Sequence, residues 1–166
     1  MKTLVLCRHA KSDWPLDVDD INRPLKPRGV NDATKLGQLL NSHDFMPDLI
    51  VSSPARRALT TAQLIANELG YEIDIEIETS VYFGGLPDLI AVIEKLPQTA
   101  NTVMIFGHNP TMELAVRYFQ KSQQAFEMPT SGMACFENYT TDWSQFISSS
   151  CRLRWLQVPR LKRKDT

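Results

Sequence analysis

The feature that most constrains this chain is a repeated alternation between short apolar runs and longer stretches with helical spacing. Continuous apolar runs are typical of strands buried on both faces of a parallel sheet, and they occur at 3–7, 48–52 and 102–106. Apolar residues three and four positions apart predict amphipathic helices, and they occur over 27–41, 54–69, 87–96 and 110–119. This order predicts strand–helix units laid side by side around a parallel sheet.

Further strands complete the predicted fold. Isoleucines alternate with acidic residues over 71–79, which predicts a half-buried strand with its acidic side in solvent. Strands at 132–139 and 146–158 are close enough in sequence to pair as a hairpin. We therefore predict an α/β fold, with a single three-layer domain over 1–158 and a basic tail over 159–166. The domain has a mainly parallel central sheet, helices on both faces and a C-terminal antiparallel hairpin.

The ends of the predicted helices have suitable side chains. Ser53 and Asn109 each precede a proline and are predicted N-caps, because their side-chain oxygens can accept a hydrogen bond from a backbone N–H. Gly70 is predicted to end the second helix, since glycine adopts the left-handed conformation without strain.

Composition and charge exclude several classes of protein. The 166 residues include 18 basic and 19 acidic side chains and are 43% hydrophobic, which is ordinary for a globular domain. Six basic residues and one acidic residue fall within 152–166, so the rest of the chain is acidic and does not resemble a nucleic-acid-binding surface. The tail is interpreted either as a solvated terminus or as a weak electrostatic contact with an acidic partner.

The apolar segments are too short to indicate a membrane protein. None approaches the ~20 residues that span a bilayer, and the first run stops at Arg8, too early for a signal peptide. We expect a cytoplasmic monomer with no membrane partner and no nucleic-acid partner. The three cysteines have no metal-binding spacing, and the best available set, Cys7 with His9 and His108, lacks an accompanying acidic residue. We therefore expect no metal and no cofactor.

Chemically distinctive residues follow three of the predicted strands. Arg8 and His9 follow the first strand, Arg57 comes shortly after the second, and His108 with Asn109 follows the strand at 102–106. Ligands of such sheets bind beyond the carboxyl ends of the strands. Two of these segments also open helices, whose N-terminal amides favour an anion, and the planar guanidinium of arginine suits phosphate oxygens. The arrangement predicts a pocket for a phosphoryl group.

Two histidines in such a pocket indicate nucleophilic catalysis. A neutral imidazole can attack phosphorus and carry the phosphoryl group as a covalent intermediate. The second histidine and the arginines can stabilise the charge on the phosphoryl oxygens without a metal. Because attack needs a neutral ring at His9, while phosphate binding favours a charged ring at His108, we expect a coupled, bell-shaped pH profile near neutrality.

Three motifs in order resemble the histidine phosphatase superfamily, which includes cofactor-dependent phosphoglycerate mutase. They are Arg8-His9, the string Ser-Ser-Pro-x-x-Arg-Ala-x-x-Thr-Ala at 52–62, and Gly-His-Asn-Pro at 107–110. The segments at 23–25, 28–29 and 129–132 (Arg-Pro-Leu, Arg-Gly and Pro-Thr-Ser-Gly) are more similar to its SixA-type phosphohistidine phosphatases. The resemblance covers about residues 3–135.

This resemblance implies a role for specific residues. It implies that His9 becomes phosphorylated and that Arg8, Arg57 and His108 are the catalytic residues that bind the phosphate. Arg57 rather than Arg56 matches the family position, because it directly precedes the alanine of the motif. Four further residues are predicted to bind substrate: Ser12, Arg23, Asn109 and Ser131.

The chain departs from the family pattern at two points. Many relatives follow the first motif with a Trp-Asn pair whose asparagine reaches the phosphate, whereas here Pro15 follows Trp14. The family's glutamate general acid has no clear counterpart, since neither Glu78 nor Asp88 stands in a matching motif. Loss of imidazole from phosphohistidine needs less protonation than loss of an alkoxide. This difference favours phosphohistidine on a protein as the substrate.

Three alternatives stay open. The same mechanism could act on a small phosphomonoester, or the pocket could bind phosphate without turnover. A serine hydrolase using Ser52 or Ser53 is a further alternative, although the chain has no Gly-x-Ser-x-Gly motif. The shortness of the chain leaves little length for a lid over the pocket, which favours a phosphate carried on a protein.

Overall fold

Six strands and six helices follow one another along the chain, and the computed structural model describes residues 1–159. The strands are β1 (Lys2–Arg8), β2 (Leu49–Ser52), β3 (Glu76–Ile77), β4 (Thr102–Gly107), β5 (Met133–Asn138) and β6 (Arg152–Gln157). The helices are α1 (Pro27–Ser42), α2 (Arg56–Leu69), α3 (Ser80–Phe83), α4 (Leu86–Glu94), α5 (Thr111–Gln120) and α6 (Trp143–Ser148), with a short 3-10 helix at Asp20–Asn22.

The strands form one mixed sheet in the order β3-β2-β4-β1-β5-β6. Parallel pairing joins β1 to β4, β4 to β2 and β2 to β3, whereas β5 is antiparallel to both β1 and β6. The predicted mainly parallel sheet with a C-terminal antiparallel pair is confirmed. Of the predicted tail, residues 160–166 lie outside the described part of the chain.

Hydrophobic cores on both faces of the sheet complete the three layers. Leu36 of α1 and Ile65 of α2 pack on one face, and Leu89 of α4, Met112 of α5 and Phe146 of α6 pack on the other. The side chains of β1 alternate between the two cores, so the strand is buried on both faces. The continuous apolar run predicted this environment correctly.

Two helices begin later than predicted. The structure places Ala55 at the N-cap of α2 and Pro110 at the N-cap of α5, and neither has a side-chain cap. The backbone of Ser53 instead continues the hydrogen bonding between β2 and β4, because its N–H donates to Phe106 O at 2.9 Å. The prediction for the end of α2 is confirmed, since Gly70 occupies the C-cap with a φ of 69°.

Two predicted strands are shorter than expected. Only Glu76 and Ile77 of the segment 71–79 pair with the four-residue β2, and Ile77 is 46% exposed at this edge of the sheet. The prediction of a half-buried strand over 71–79 was therefore wrong for most of that segment. The predicted strand 146–158 begins only at Arg152, because the aromatic residues before it form α6 and pack on the core.

The first turn of α1 makes a close approach to the segment that follows β1. A Cβ atom on Gly29 would lie 2.2 Å from the carbonyl oxygen of Lys11. That oxygen also accepts a hydrogen bond from the N–H of Lys26 at 2.9 Å, so it cannot move away freely. Glycine at this position is therefore required for α1 to pack next to the segment that carries the site.

We predict that Gly29→Ala lowers the free energy of unfolding by about 1–3 kcal/mol, because the added methyl group overpacks against backbone. Urea unfolding measures the change. Gln38→Ala, at an exposed position of the same helix, is the matched control and should leave the midpoint nearly unchanged. Equal midpoints for Gly29→Ala and the parent would contradict the packing argument.

Candidate active site

Two histidines lie side by side at the carboxyl edge of the parallel sheet. The last pair in the register between β1 and β4 is Arg8 with Gly107, so His9 and His108 follow at the same level. The N–H of His9 donates to Gly107 O at 3.1 Å, which fixes this level, and the two ring centroids are 5.3 Å apart. The predicted convergence of these two histidines is present in the structure.

His9 has one ring nitrogen engaged and one free. Its Nδ1 is 2.7 Å from the carbonyl oxygen of Ala10, and because that oxygen can only accept, Nδ1 carries the proton. The neutral ring therefore has its lone pair on Nε2. Burial lowers the pKa of His9 to about 3, and nearby His108, Arg57 and Arg8 act in the same direction against the hydrogen bond to Ala10. His9 is thus neutral at pH 7.

His108 has the opposite arrangement. Its Nε2 is 2.8 Å from Ser53 Oγ, which also accepts a hydrogen bond from the N–H of Ala55 at 3.1 Å. If Ser53 donates its hydroxyl proton to Nε2, every hydrogen at this contact has an acceptor, and the proton of the neutral ring lies on Nδ1. Burial, followed by the charge of Arg57, lowers the pKa of His108 to about 4. His9 thus offers a lone pair, and with Ser53 as the donor to Nε2 the ring of His108 offers an N–H at Nδ1.

The buried polar atoms without a hydrogen-bond partner are concentrated at this site. Among the described residues there are six, and they are Arg8 Nε, Arg57 Nε, His108 Nδ1, Asn109 Oδ1, Arg117 Nε and Ser131 Oγ. Four of these atoms are hydrogen-bond donors at or next to the paired rings, namely Arg8 Nε, Arg57 Nε, His108 Nδ1 and Ser131 Oγ. Ser131 lies next to His9 because its N–H donates to His9 O at 3.0 Å. Buried donors normally have partners, so this concentration indicates a binding site for a ligand with several acceptor oxygens.

Asp20 is a residue of the site that the sequence did not reveal. Its backbone oxygen accepts from Arg57 Nη1 at 2.8 Å, and its Oδ2 accepts from Arg57 Nη2 at 3.1 Å and from the hydroxyl of Tyr82 at 2.6 Å. Arg23 Nε donates to its Oδ1 at 2.9 Å. The Tyr82 hydrogen bond, followed by those from the arginines, lowers the pKa of Asp20 to about 2, so the carboxylate stays ionised.

The sequence indicated the loop that contains Asp20 but not the residue itself. The long polar stretch over 13–26 predicts a functional loop, yet nothing in it distinguishes this aspartate from three others. Tyr82 lies on the four-residue α3, for which no helical pattern exists, and its ring packs 5.5 Å from that of His108. Both residues enter the site through long-range contacts.

The residues predicted to bind substrate have different surroundings. Ser12 Oγ accepts from Arg23 Nη1 at 2.9 Å, so these two side chains connect the ends of the loop. Asn109 donates both amide hydrogens, to Glu113 Oε1 and to Met128 O, which leaves no hydrogen for a phosphate oxygen. Ser131 keeps an unpartnered hydroxyl beside His9. Of the four predictions, geometry therefore supports Ser131 best.

Comparison with known proteins supports one family. A family model described as the histidine phosphatase superfamily (branch 1) matches residues 4–80. A solved structure from Agrobacterium tumefaciens, assigned as the phosphohistidine phosphatase SixA, is 28% identical with a TM-score of 0.81, and the alignment covers 95% of this chain and 98% of that one. These similarities support the histidine phosphatase superfamily as the family of this chain.

Further similarities extend over nearly the whole chain. A structure from Nakamurella multipartitia, also assigned as SixA, is 28% identical with a TM-score of 0.80 and is covered to 96%, with 95% of this chain aligned. An uncharacterized chloroplastic protein of Arabidopsis thaliana is 28% identical over 165 residues, which is 90% of this chain and 72% of the relative. The fold is therefore of the SixA type, and the similarity to the superfamily supports phosphatase chemistry that uses a histidine.

Glu78 and Asp88, the two candidates for a general acid, each use one carboxylate oxygen in local structure. Glu78 Oε1 accepts hydrogen bonds from the N–H and the hydroxyl of Ser80. Asp88 Oδ2 accepts from the N–H of Gly85 and so caps α4. Both carboxylates are used in local structure around α3 and α4.

Metal and membrane features can be assessed for residues 1–159. Within that range no group of three or more His, Cys, Asp or Glu side chains is arranged to hold a metal ion. No helix there is long and apolar enough to cross a membrane.

The lowered pKa values of the two histidines predict a loss of stability in mild acid. The unfolded chain binds protons on these rings near pH 6.5, whereas the folded chain does not until about pH 3 to 4. Their contribution to stability is therefore full above pH 6.5 and is lost as pH falls below it, on the order of 1 kcal/mol per histidine per pH unit.

Urea unfolding at pH 7.5 and pH 5 measures this loss. The double variant His9→Asn/His108→Asn is the control, because it retains every other titratable group, and its stability should change much less between the two pH values. The same change in parent and double variant would contradict the assignment of two neutral buried rings.

Proposed function

We propose that this protein hydrolyses phosphohistidine on a protein substrate, through a phosphoryl group carried temporarily on His9 Nε2. The observation that carries the proposal is the cluster of unpartnered donors beside the free Nε2 of a neutral histidine. Donors on Arg8, Arg57, His108 and Ser131 can each bind one oxygen of a phosphoryl group. Such donors stabilise the charge that the oxygens carry during transfer.

The proposed reaction has two displacements at phosphorus. In the first, the Nε2 lone pair of His9 forms a bond to phosphorus while the bond from phosphorus to the substrate imidazole breaks, and its electron pair stays on that imidazole. In the second, water attacks phosphorus, and His9 leaves with its lone pair restored and inorganic phosphate as product. The hydrogen bond from His9 Nδ1 to Ala10 O holds the ring in orientation throughout.

The acid–base groups near the site favour an imidazole leaving group. Asp20 is ionised and holds no proton to give, while Glu78 and Asp88 accept local hydrogen bonds. Departure of an alkoxide needs a proton donor, whereas departure of an imidazole needs less help. This difference supports a phosphoramidate substrate over a phosphomonoester.

Exposed apolar side chains beside the site support a macromolecular substrate. Trp14 is 71% exposed and its ring lies 3.4 Å from the guanidinium carbon of Arg23. Phe83 is 75% exposed and packs edge-on against Tyr82, with ring centroids 4.7 Å apart. Large apolar groups exposed around a polar site are typical of surfaces that contact another protein.

We predict that His9→Ala reduces turnover of a phosphohistidine protein by at least about 10³-fold, because the covalent step is lost. The exposed His43, beyond the end of α1, provides the matched control, since His43→Ala leaves the site intact. Release of inorganic phosphate measures both variants beside the parent. Equal rates for parent and His9→Ala would remove His9 as nucleophile.

A substrate comparison separates phosphohistidine from small esters. The parent enzyme is assayed with a phosphohistidine protein and with a panel of sugar and nucleotide phosphates. We expect a higher kcat/KM for the phosphohistidine protein. A higher kcat/KM for one of the small esters would contradict the proposed substrate, and no turnover of any of them would indicate a phosphate-binding module.

A further inference from the structure

We infer that Asp20 determines the selectivity for an imidazole leaving group by accepting a hydrogen bond from the ring N–H of the phosphorylated imidazole. This inference rests on the proposed function and adds a residue to it. Asp20 would contact the substrate on the side opposite His9, at the nitrogen that does not carry phosphorus.

The position of Asp20 suits a contact with the leaving group. In-line displacement places the nucleophile and the leaving group on opposite sides of phosphorus. His9 is 7% exposed and lies at the buried end of the site, whereas the Asp20 side chain is 44% exposed. Asp20 also contacts Arg57, whose free Nε is one of the proposed phosphate ligands. A substrate entering from solvent therefore brings its imidazole toward Asp20.

The carboxylate of Asp20 has room for one more hydrogen bond. A carboxylate has about four acceptor sites, and three are occupied by side chains of the protein. Its Oδ2 accepts from Tyr82 and Arg57, and its Oδ1 accepts only from Arg23. The remaining site on Oδ1 is available to an N–H that arrives from solvent.

A carboxylate at this position determines whether the leaving group is a neutral imidazole or an imidazolate. When the distal nitrogen of a phosphorylated imidazole is protonated, cleavage of the P–N bond releases a neutral imidazole. When it is not, cleavage releases an imidazolate, which is a far stronger base. A carboxylate that accepts from the distal N–H favours the protonated form. The electron pair of the breaking bond then goes to the ring nitrogen that held phosphorus, and the proton stays where it was.

The same arrangement exists on the nucleophile. When His9 Nε2 binds phosphorus, its ring becomes the protonated one, and its Nδ1–H is held by Ala10 O at 2.7 Å. Phosphoryl transfer then moves the phosphoryl group and the positive ring charge from the substrate imidazole to His9. Asp20 accepts the hydrogen bond from the substrate ring, and Ala10 O accepts the one from His9. A phosphomonoester has no distal N–H, so for that substrate Asp20 can only hold Arg57 in position and repel the phosphate charge.

The test uses Asp20→Asn, which keeps the shape of the side chain and removes its charge. N-phosphoimidazole and p-nitrophenyl phosphate serve as the two probes. We expect kcat/KM for N-phosphoimidazole to fall about 10- to 100-fold, the range for loss of a charged hydrogen bond. We expect kcat/KM for p-nitrophenyl phosphate to fall by a much smaller factor, because for that substrate the change affects only the hydrogen bond that holds Arg57. Asp20→Glu, which restores the charge, should recover part of the selectivity.

Two comparison variants distinguish selectivity from general damage. Asp19→Asn removes the neighbouring exposed carboxylate, which has no side-chain hydrogen bond at its helix end, and should change neither rate. Arg57→Lys should lower both rates together, because it weakens phosphate binding for both substrates. Asp20→Ser also removes the charge and provides the same ratio if the asparagine variant does not fold.

The outcomes separate this inference from the proposed function. Equal loss of both activities in Asp20→Asn would show that Asp20 only positions Arg57. No loss of either activity would show that Asp20 has no role. Each of these results overturns the inference and leaves the proposed function standing. If the parent hydrolyses the ester but neither N-phosphoimidazole nor a phosphohistidine protein, the proposed function fails and the inference fails with it.

Discussion

The parallel register between β1 and β4 is the constraint on which the site depends. It ends both strands at the same level, with Arg8 opposite Gly107, so that the next residue of each chain segment is a histidine. Pairing of β2 with β4 then brings Ser53 to the same edge, and the first turn of α2 adds Arg57. Three segments far apart in sequence thus converge where the strands end, as is general for ligand sites in α/β sheets.

Burial and charge together give the two histidines different roles. Placing imidazoles in a buried setting beside arginines makes their protonated forms unfavourable, and each neutral ring is then held by one neighbour. Ala10 O accepts a hydrogen bond from His9 Nδ1–H, while Ser53 Oγ hydrogen-bonds to Nε2 of His108. The result is a lone pair and an N–H at adjacent rings, with arginine donors around them. An anion with several oxygens satisfies the donors and leaves the lone pair for bond formation.

The sequence predicted the parts of the molecule in which one local pattern decides the outcome. Buried strands such as β1 have continuous apolar runs, and Gly70 has the conformation that ends a helix. The predicted site residues Arg8-His9 and His108-Asn109 directly follow or end strands. The prediction failed where contacts with residues distant in sequence determine the local structure. Residues 71–79 alternate like a strand, yet β2 offers a partner for only two of them. Asp20 and Tyr82 could not be found because the contact between Asp20 and Arg57 spans 37 positions of the chain and the contact between Asp20 and Tyr82 spans 62.

The central claim is that a neutral His9 accepts the phosphoryl group on Nε2. The most direct test is to mix the enzyme with a phosphohistidine protein, stop the reaction in alkali within the first turnover, and locate the phosphoryl group by mass spectrometry of peptides. We predict an acid-labile phosphoryl group on His9 that forms and decays as inorganic phosphate appears. Phosphate release with the phosphoryl group on another residue, or with none on the enzyme at any time during turnover, would contradict it.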